Sequence, residues 1–366
     1  MRHFLPKILI AVLFALGLCC IKNRAFLKQV YEGYHYDTFN VFHWKNIRFT
    51  SAEPNKNFVK TQYIIHNPQK FNAFIFGSSR VGYLPLDALP EAANGKSLRW
   101  YNMTYSVGTP NDHFMTINTF LKNGVSVDMV IVGFDEIAMY RDAETQRKDL
   151  LRMPYQIYEE NLSEFLRAYL SMKTDGSIRK QVDEYDEAAH EDAKKLFYEW
   201  GGCASNFALT ENPQLERYEA WHITYSQKKA HEDIEKIAAL CSEHGIRLVL
   251  FTNPLYQILY RNSVDDGYFD FLRSVAQKCE FYNFSALNNY TTNPQYYFEG
   301  SHYRPALGLL VEQVLFGTDE ERESIRRDTG DALWGAKVNA GNVEEIIAHL
   351  QGQLRAEYPL ATFSNP

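Results

Sequence analysis

Residues 71–82 read FNAFIFGSSRVG. An apolar run from Ala73 to Phe76 ends in Gly77, Ser78 and Ser79, with a charge, Arg80, directly after. A short run that is apolar throughout and closed by turn residues reads as a strand buried on both faces. Its glycine and serines fit an ordinary turn, and Ser79 also fits a helix cap. They fit equally a nucleophile presented at the carboxyl edge of a sheet. That second reading needs a base elsewhere in the chain, because a serine hydroxyl is a weak nucleophile until an imidazole takes its proton.

Working outward, the same grammar repeats. LRWYNMTYS, DMVIVGF, IRLVLFTNP and EFYNFSAL are further strand candidates. Between and after them, FMTINTFLKNG, SQKKAHEDIEKIAALCSEHG, GYFDFLRSVAQKC and RPALGLLVEQVLFG carry helical spacing. Strands that alternate with helices and are themselves apolar predict a parallel sheet covered on both faces: a doubly wound α/β domain. In such sheets ligands bind beyond the carboxyl ends of the strands. Three predicted strands end suggestively, in Gly77-Ser78-Ser79, Gly133-Phe134-Asp135 and Thr252-Asn253.

The domain so predicted spans 71–320, with a looser, largely helical insertion over 140–222 that has the place of a lid. Residues 25–70 form an aromatic lead-in, and 321–366 a C-terminal helical extension. Ahead of these, Arg2 and Lys7 precede an apolar run from Ile8 to Ile21. It is shorter than the ~20 residues of a spanning helix, and no clear cleavage site follows. Residues 1–24 are therefore read as an uncleaved signal anchor, with a cleaved or lipidated form as the alternative. The body would then lie outside the cytoplasmic membrane, periplasmic or at the cell surface.

The chain has 366 residues, 45% hydrophobic and 23% charged, enough for a substantial core. A net charge of -7 argues against a nucleic-acid partner. Cys203, Cys241 and Cys279 are widely spaced, without a C-x-x-C, so neither a disulfide framework nor a metal centre is indicated. Nothing in the chain calls for a cofactor.

Of the 11 histidines, one has promising surroundings. YYFEGSHYRPALG places His302 in a loop before the last core helix, with Glu299 at E-x-x-H spacing. A carboxylate there can reach Nδ1–H within one turn and leave Nε2 to face a serine. Gly108 and Asn111, in YSVGTPND, follow the second strand. Arg80 and Asp135 sit just past two strand ends, as candidates to bind a substrate group, to pair with each other's kind or, for Asp135, to cap the next segment.

Strand-G-S-S early and E-x-x-H late resembles the SGNH (GDSL-type) hydrolases. The likeness is greatest to the membrane-anchored, envelope-facing branch that includes the alginate-acetylation proteins and the D-alanyl transfer protein of the teichoic-acid pathway. It runs from Phe71 to Gly317 and leaves 140–222 unmatched. It implies a three-layer α/β/α fold, Ser79 as nucleophile with Ser78 in place of the family's aspartate, and His302 with Glu299 as base and orienting acid. It implies an oxyanion hole from the Ser79 and Gly108 backbone N–H groups. Asp135 stands where the family has an amide-donating asparagine, and an ionised carboxylate cannot donate; Asn111 is the candidate to supply that donor. The activity implied is ester hydrolysis or O-acyl transfer on an envelope polysaccharide. Its partners would be an acylated glycan or acyl donor and a multi-pass membrane O-acyltransferase. The rival expectation is a catalytically silent protein of the same fold that binds glycan or that acyltransferase.

Overall fold

The computed structural model describes residues 55–140, 152–170 and 230–357, with isolated residues 13, 17, 18, 21, 147, 195, 199 and 201. At its centre is a six-stranded sheet: β1 (Ala73–Phe76), β2 (Trp100–Asn102), β3 (Met129–Phe134), β4 (Arg247–Thr252), β5 (Phe281–Asn283) and β6 (Ala336–Val338). The order across the sheet is β6-β5-β4-β3-β1-β2. The first five strands are mutually parallel, and β6 pairs antiparallel with β5. The expected parallel sheet is thus mostly so. Its antiparallel edge strand comes from the segment read as a purely helical extension.

Sequence chemistry accounts for the middle of this sheet. Every residue of β1 and β3 is buried, as a strand covered on both faces requires. Met129 lies opposite Ala73 on one side and Arg247 on the other. Strand order reverses between β1 and β3, the kind of point at which such sheets bind ligands beyond their carboxyl ends.

Helices flank the sheet. α1 (Lys56–His66) starts at Asn55, whose side chain accepts from the Phe58 N–H. α2 (Pro110–Lys122) follows Thr109 with proline in its first turn. α3 (Ala230–Glu243), α4 (Gln257–Asp265) and α5 (Tyr268–Ala276) alternate with the later strands. After β5 come α6 (Pro305–Phe316), α7 (Asp319–Thr329) and α8 (Val343–Glu357). α7 opens with a capping box, Thr318 and Glu321 each satisfying the other's backbone N–H. In packing, α2, α3, α5 and α8 follow one another, while α6 lies against the turn after β1.

Of the insertion, residues 140, 147, 195, 199 and 201 are described and, as a continuous stretch, 152–170. It holds two short helices, Gln156–Glu160 and Leu162–Leu170, packed through Tyr155 and Phe165 onto Phe58 of α1. The rest of the proposed lid, and the signal anchor apart from four isolated residues, lie outside the described residues. Among the described residues no helix is long and apolar enough to cross a membrane.

Candidate active site

β1 ends at Gly77, which has φ +153°, and a Cβ there would stand 2.3 Å from Val81 and 2.8 Å from the Gly133 carbonyl. Only glycine lets the chain turn out of the sheet this tightly against β3. The turn that follows, Val81–Tyr83, is a single 3₁₀ turn. Ser79 emerges at its start, half-buried. Among the described residues its own N–H has no hydrogen-bond partner.

Facing it is a small antiparallel ribbon, Tyr297–Glu299 with His302–Tyr303, held just before α6. His302 Nε2 lies 2.7 Å from Ser79 Oγ. Its Nδ1 is hydrogen-bonded to Glu299 Oε1. A carboxylate can only accept, so Nδ1 carries the proton, and in the neutral ring Nε2 is the acceptor for the serine O–H. Serine, imidazole and carboxylate are therefore in the order and tautomer that proton abstraction needs. The His302 and Glu299 side chains are 29% and 36% exposed, so a substrate can reach them. The half-buried Tyr83 ring stands edge-on to His302 at 5.8 Å and contacts Phe298 at 5.0 Å, forming an aromatic flank.

The other sequence-predicted residues have different places. Gly108 sits close by, since a Cβ on it would lie 2.6 Å from the Gly77 carbonyl oxygen. Its N–H, however, donates to the Tyr105 carbonyl at 3.2 Å. The turn so closed puts Val107 at φ 59°, a left-handed conformation that a β-branched residue rarely adopts. Asn111 lies in the first turn of α2, and its amide donates to Asp233 of α3 at 3.4 Å. As placed, that amide is directed at a neighbouring helix. Under Gly108 packs His113, almost wholly buried, its pKa lowered by burial to about 3.

Arg80 and Asp135, the candidates for substrate binding, are both held within the protein. Arg80 is 3% exposed, and its five N–H donors are all engaged. Nε donates to Ser301 O (2.7 Å) and Nη2 to Ser301 Oγ (2.9 Å). Nη2 also donates to Glu136 Oε1 (2.7 Å). Nη1 donates to Glu136 Oε2 (3.1 Å) and lies 2.8 Å from Asp135 Oδ2. Asp135 accepts further from Ser78 Oγ (3.0 Å) and the Asn253 amide (2.9 Å), and it caps the next short helix through Ile137 N–H (3.0 Å). Burial raises the Glu136 carboxyl to about 7, Arg80 opposing and Asp135 adding to the rise. Two acids thus share one guanidinium in a buried site.

Sequence reading missed Glu136, Ser301, and the pair Asn253–Tyr303, in which the Tyr303 hydroxyl donates to Asn253 Oδ1 at 3.2 Å. The strand-end position of Asn253 was a signal for that pair; a serine in a turn gives none. Among the described residues no cluster of metal-ligating side chains occurs. No protein-family model matches the sequence, and the search of curated proteins found no match.

Proposed function

We propose that this chain is a serine esterase or O-acyltransferase with an SGNH-like three-layer α/β/α fold. It would be tethered to the cytoplasmic membrane by its N-terminal segment and act outside the cytoplasm on acyl esters of an envelope polysaccharide. The observation that carries the chemical part is the Ser79–His302–Glu299 alignment, with Ser79 Oγ 2.7 Å from Nε2. Residues separated by most of the domain lie within hydrogen-bond reach in the order that triad chemistry uses. A helix cap has no use for such a histidine.

In this reading Ser79 Oγ attacks the ester carbonyl carbon as its proton passes to His302 Nε2. Glu299 holds the ring and stabilises the imidazolium. The tetrahedral intermediate collapses, the alcohol leaves with the proton from His302, and the acyl group stays on Ser79. An acceptor hydroxyl, deprotonated in turn by His302, then attacks the acyl-serine. With water the product is a carboxylic acid; with a sugar hydroxyl it is a new ester. The Ser79 N–H, without a hydrogen-bond partner among the described residues, would receive the oxyanion, a contribution on the order of 3 kcal/mol. The aromatic flank of Tyr83 and Phe298 suits an acyl chain or a sugar face. A multi-pass membrane O-acyltransferase would be the natural supplier or receiver of the acyl group.

One observation favours the silent alternative, a glycan- or acyltransferase-binding protein of the same fold. The two donors expected to complete the oxyanion hole, at Gly108 and Asn111, are engaged elsewhere. A serine-directed fluorophosphonate decides between the two. Covalent labelling of the wild type and its loss in Ser79→Ala supports the enzyme. A wild type that stays unlabelled leaves the silent reading.

A further inference from the structure

Gly300 and Ser301 form the turn between Glu299 and His302. Ser301 N–H donates to Glu299 Oε2 at 2.9 Å, while the other carboxylate oxygen takes the His302 Nδ1–H. Both oxygens of the orienting acid are thereby fixed, one by the ring and one by the turn. The turn is gripped from outside by Arg80, which bonds both the carbonyl and the hydroxyl of Ser301. Arg80 follows the nucleophile directly in the chain. A closed circuit results: Ser79, Arg80, Ser301, Glu299, His302 and back to Ser79. The other edge of the guanidinium is clamped bidentately by Glu136 and contacted by Asp135, at the end of β3.

We infer that Arg80 is a positioning residue: through Ser301 it sets the separation of Ser79 from His302, with Glu136 and Asp135 as its anchor in the sheet. The catalytic consequence rests on the triad reading given above. A plain buried ion pair would need only charge opposite the two acids. Here the planar fork is used on two edges at once, one toward carboxylates and one toward the turn. A lysine, a point charge on a flexible stem, cannot hold both edges. Without the grip, the turn carrying Glu299 and His302 is free to shift, and a misplacement of about 1 Å in such a constellation costs up to roughly 100-fold in rate.

The test uses the full-length protein and three variants, Ser301→Ala, Ser301→Thr and Arg80→Lys. It reads p-nitrophenyl acetate hydrolysis, fluorophosphonate labelling rate and amide hydrogen exchange of residues 299–303. Ser301→Ala should lower kcat about tenfold at an unchanged KM, and Ser301→Thr, which keeps the hydroxyl, should restore it. Arg80→Lys should lose up to roughly 100-fold, and exchange in the turn should speed up in both impaired variants. Ser301→Ala serves where Arg80→Lys fails to fold. Wild-type kcat in Ser301→Ala, or a threonine variant as impaired as the alanine, overturns the inference. If the wild type neither hydrolyses nor labels, the triad reading fails separately. Turn exchange then decides the positioning role by itself: faster exchange in Ser301→Ala upholds it, and unchanged exchange rejects it.

Discussion

Two charged clusters sit side by side at the carboxyl edge of this sheet, and they are built on opposite rules. Glu299 and His302 are about a third exposed, each oriented by hydrogen bonds but open to a substrate. Arg80, Asp135 and Glu136 are closed off, with no more than 4% of any side chain exposed and every guanidinium N–H used. Sequence reading offered residues of both as candidate chemistry: Glu299 and His302 for their E-x-x-H spacing before the last core helix, Arg80 and Asp135 because they follow strand ends. Burial and saturation separate them. A group that must meet a substrate keeps a lone pair or proton to offer, whereas a group that braces the scaffold spends all of them within the protein.

If that separation is right, damage to the open cluster should cost activity and spare the fold. After loss of Ser79 itself, which should reduce turnover by at least about 10⁴-fold, the largest effect is expected at Glu299. Glu299→Gln retains size but presents an amide to Nδ1 and favours the wrong tautomer. A fall of roughly 10³–10⁴-fold in kcat is expected, with a melting temperature close to wild type. Turnover and thermal denaturation measured on one preparation check this. A Gln variant within tenfold of wild type would leave Glu299 as a turn residue only.

Damage to the closed cluster should reach the fold as well as turnover. Arg80→Ala leaves two acids in a dry site without their cation, at a cost of about 3–5 kcal/mol in urea unfolding. Asp135→Asn should cost much less, since Arg80 and Glu136 remain as a matched pair. It should also lower the Glu136 carboxyl from its raised position, because the Asp135 charge is one cause of the rise. The Asn variant should label with fluorophosphonate within about tenfold of wild type, as a residue that supports catalysis only at a distance should. Loss of labelling with an intact fold would move Asp135 back into the chemistry.

How much of this was legible without coordinates follows from the same contrast. Ser79, Glu299 and His302 could be brought together because the roles proposed for them, nucleophile, orienting acid and base, impose residue types and a local E-x-x-H spacing. The Arg80 cluster could not, because it depends on β1 and β3 being neighbours, and sheet order is set by packing of the whole chain. The direction of Asn111 was not legible either: it follows Thr109-Pro110, a helix start, and its amide donates to the helix packed alongside. β6 escaped notice because three residues, Ala-Lys-Val, carry no periodicity; it is a strand only because the edge of β5 is there to pair with.

A fourth carboxyl extends the comparison to a place with no hydrogen-bond partner among the described residues. Glu312, in the middle of α6, is 1% exposed, and neither carboxylate oxygen has a hydrogen-bond partner among the described residues. Burial, followed by repulsion from Asp87, holds its pKa well above the usual carboxylate range. The sign of the linkage is set by the unfolded chain, which releases the proton near the ordinary value of about 4.3 while the folded protein keeps it. Below that pH the two states match and stability is undiminished. Above it the unfolded state binds fewer protons, so stability falls as pH rises toward the folded pKa. Glu136, raised to about 7, adds a fall of the same sign up to that pH. Glu312→Gln keeps the shape and removes the titration. It should therefore match wild type near pH 4.5 and exceed it at pH 8, by about 1–3 kcal/mol in urea unfolding. A difference that stays constant between those two pH values would mean that Glu312 finds a partner in solution, and the unpaired carboxyl would drop out of the comparison.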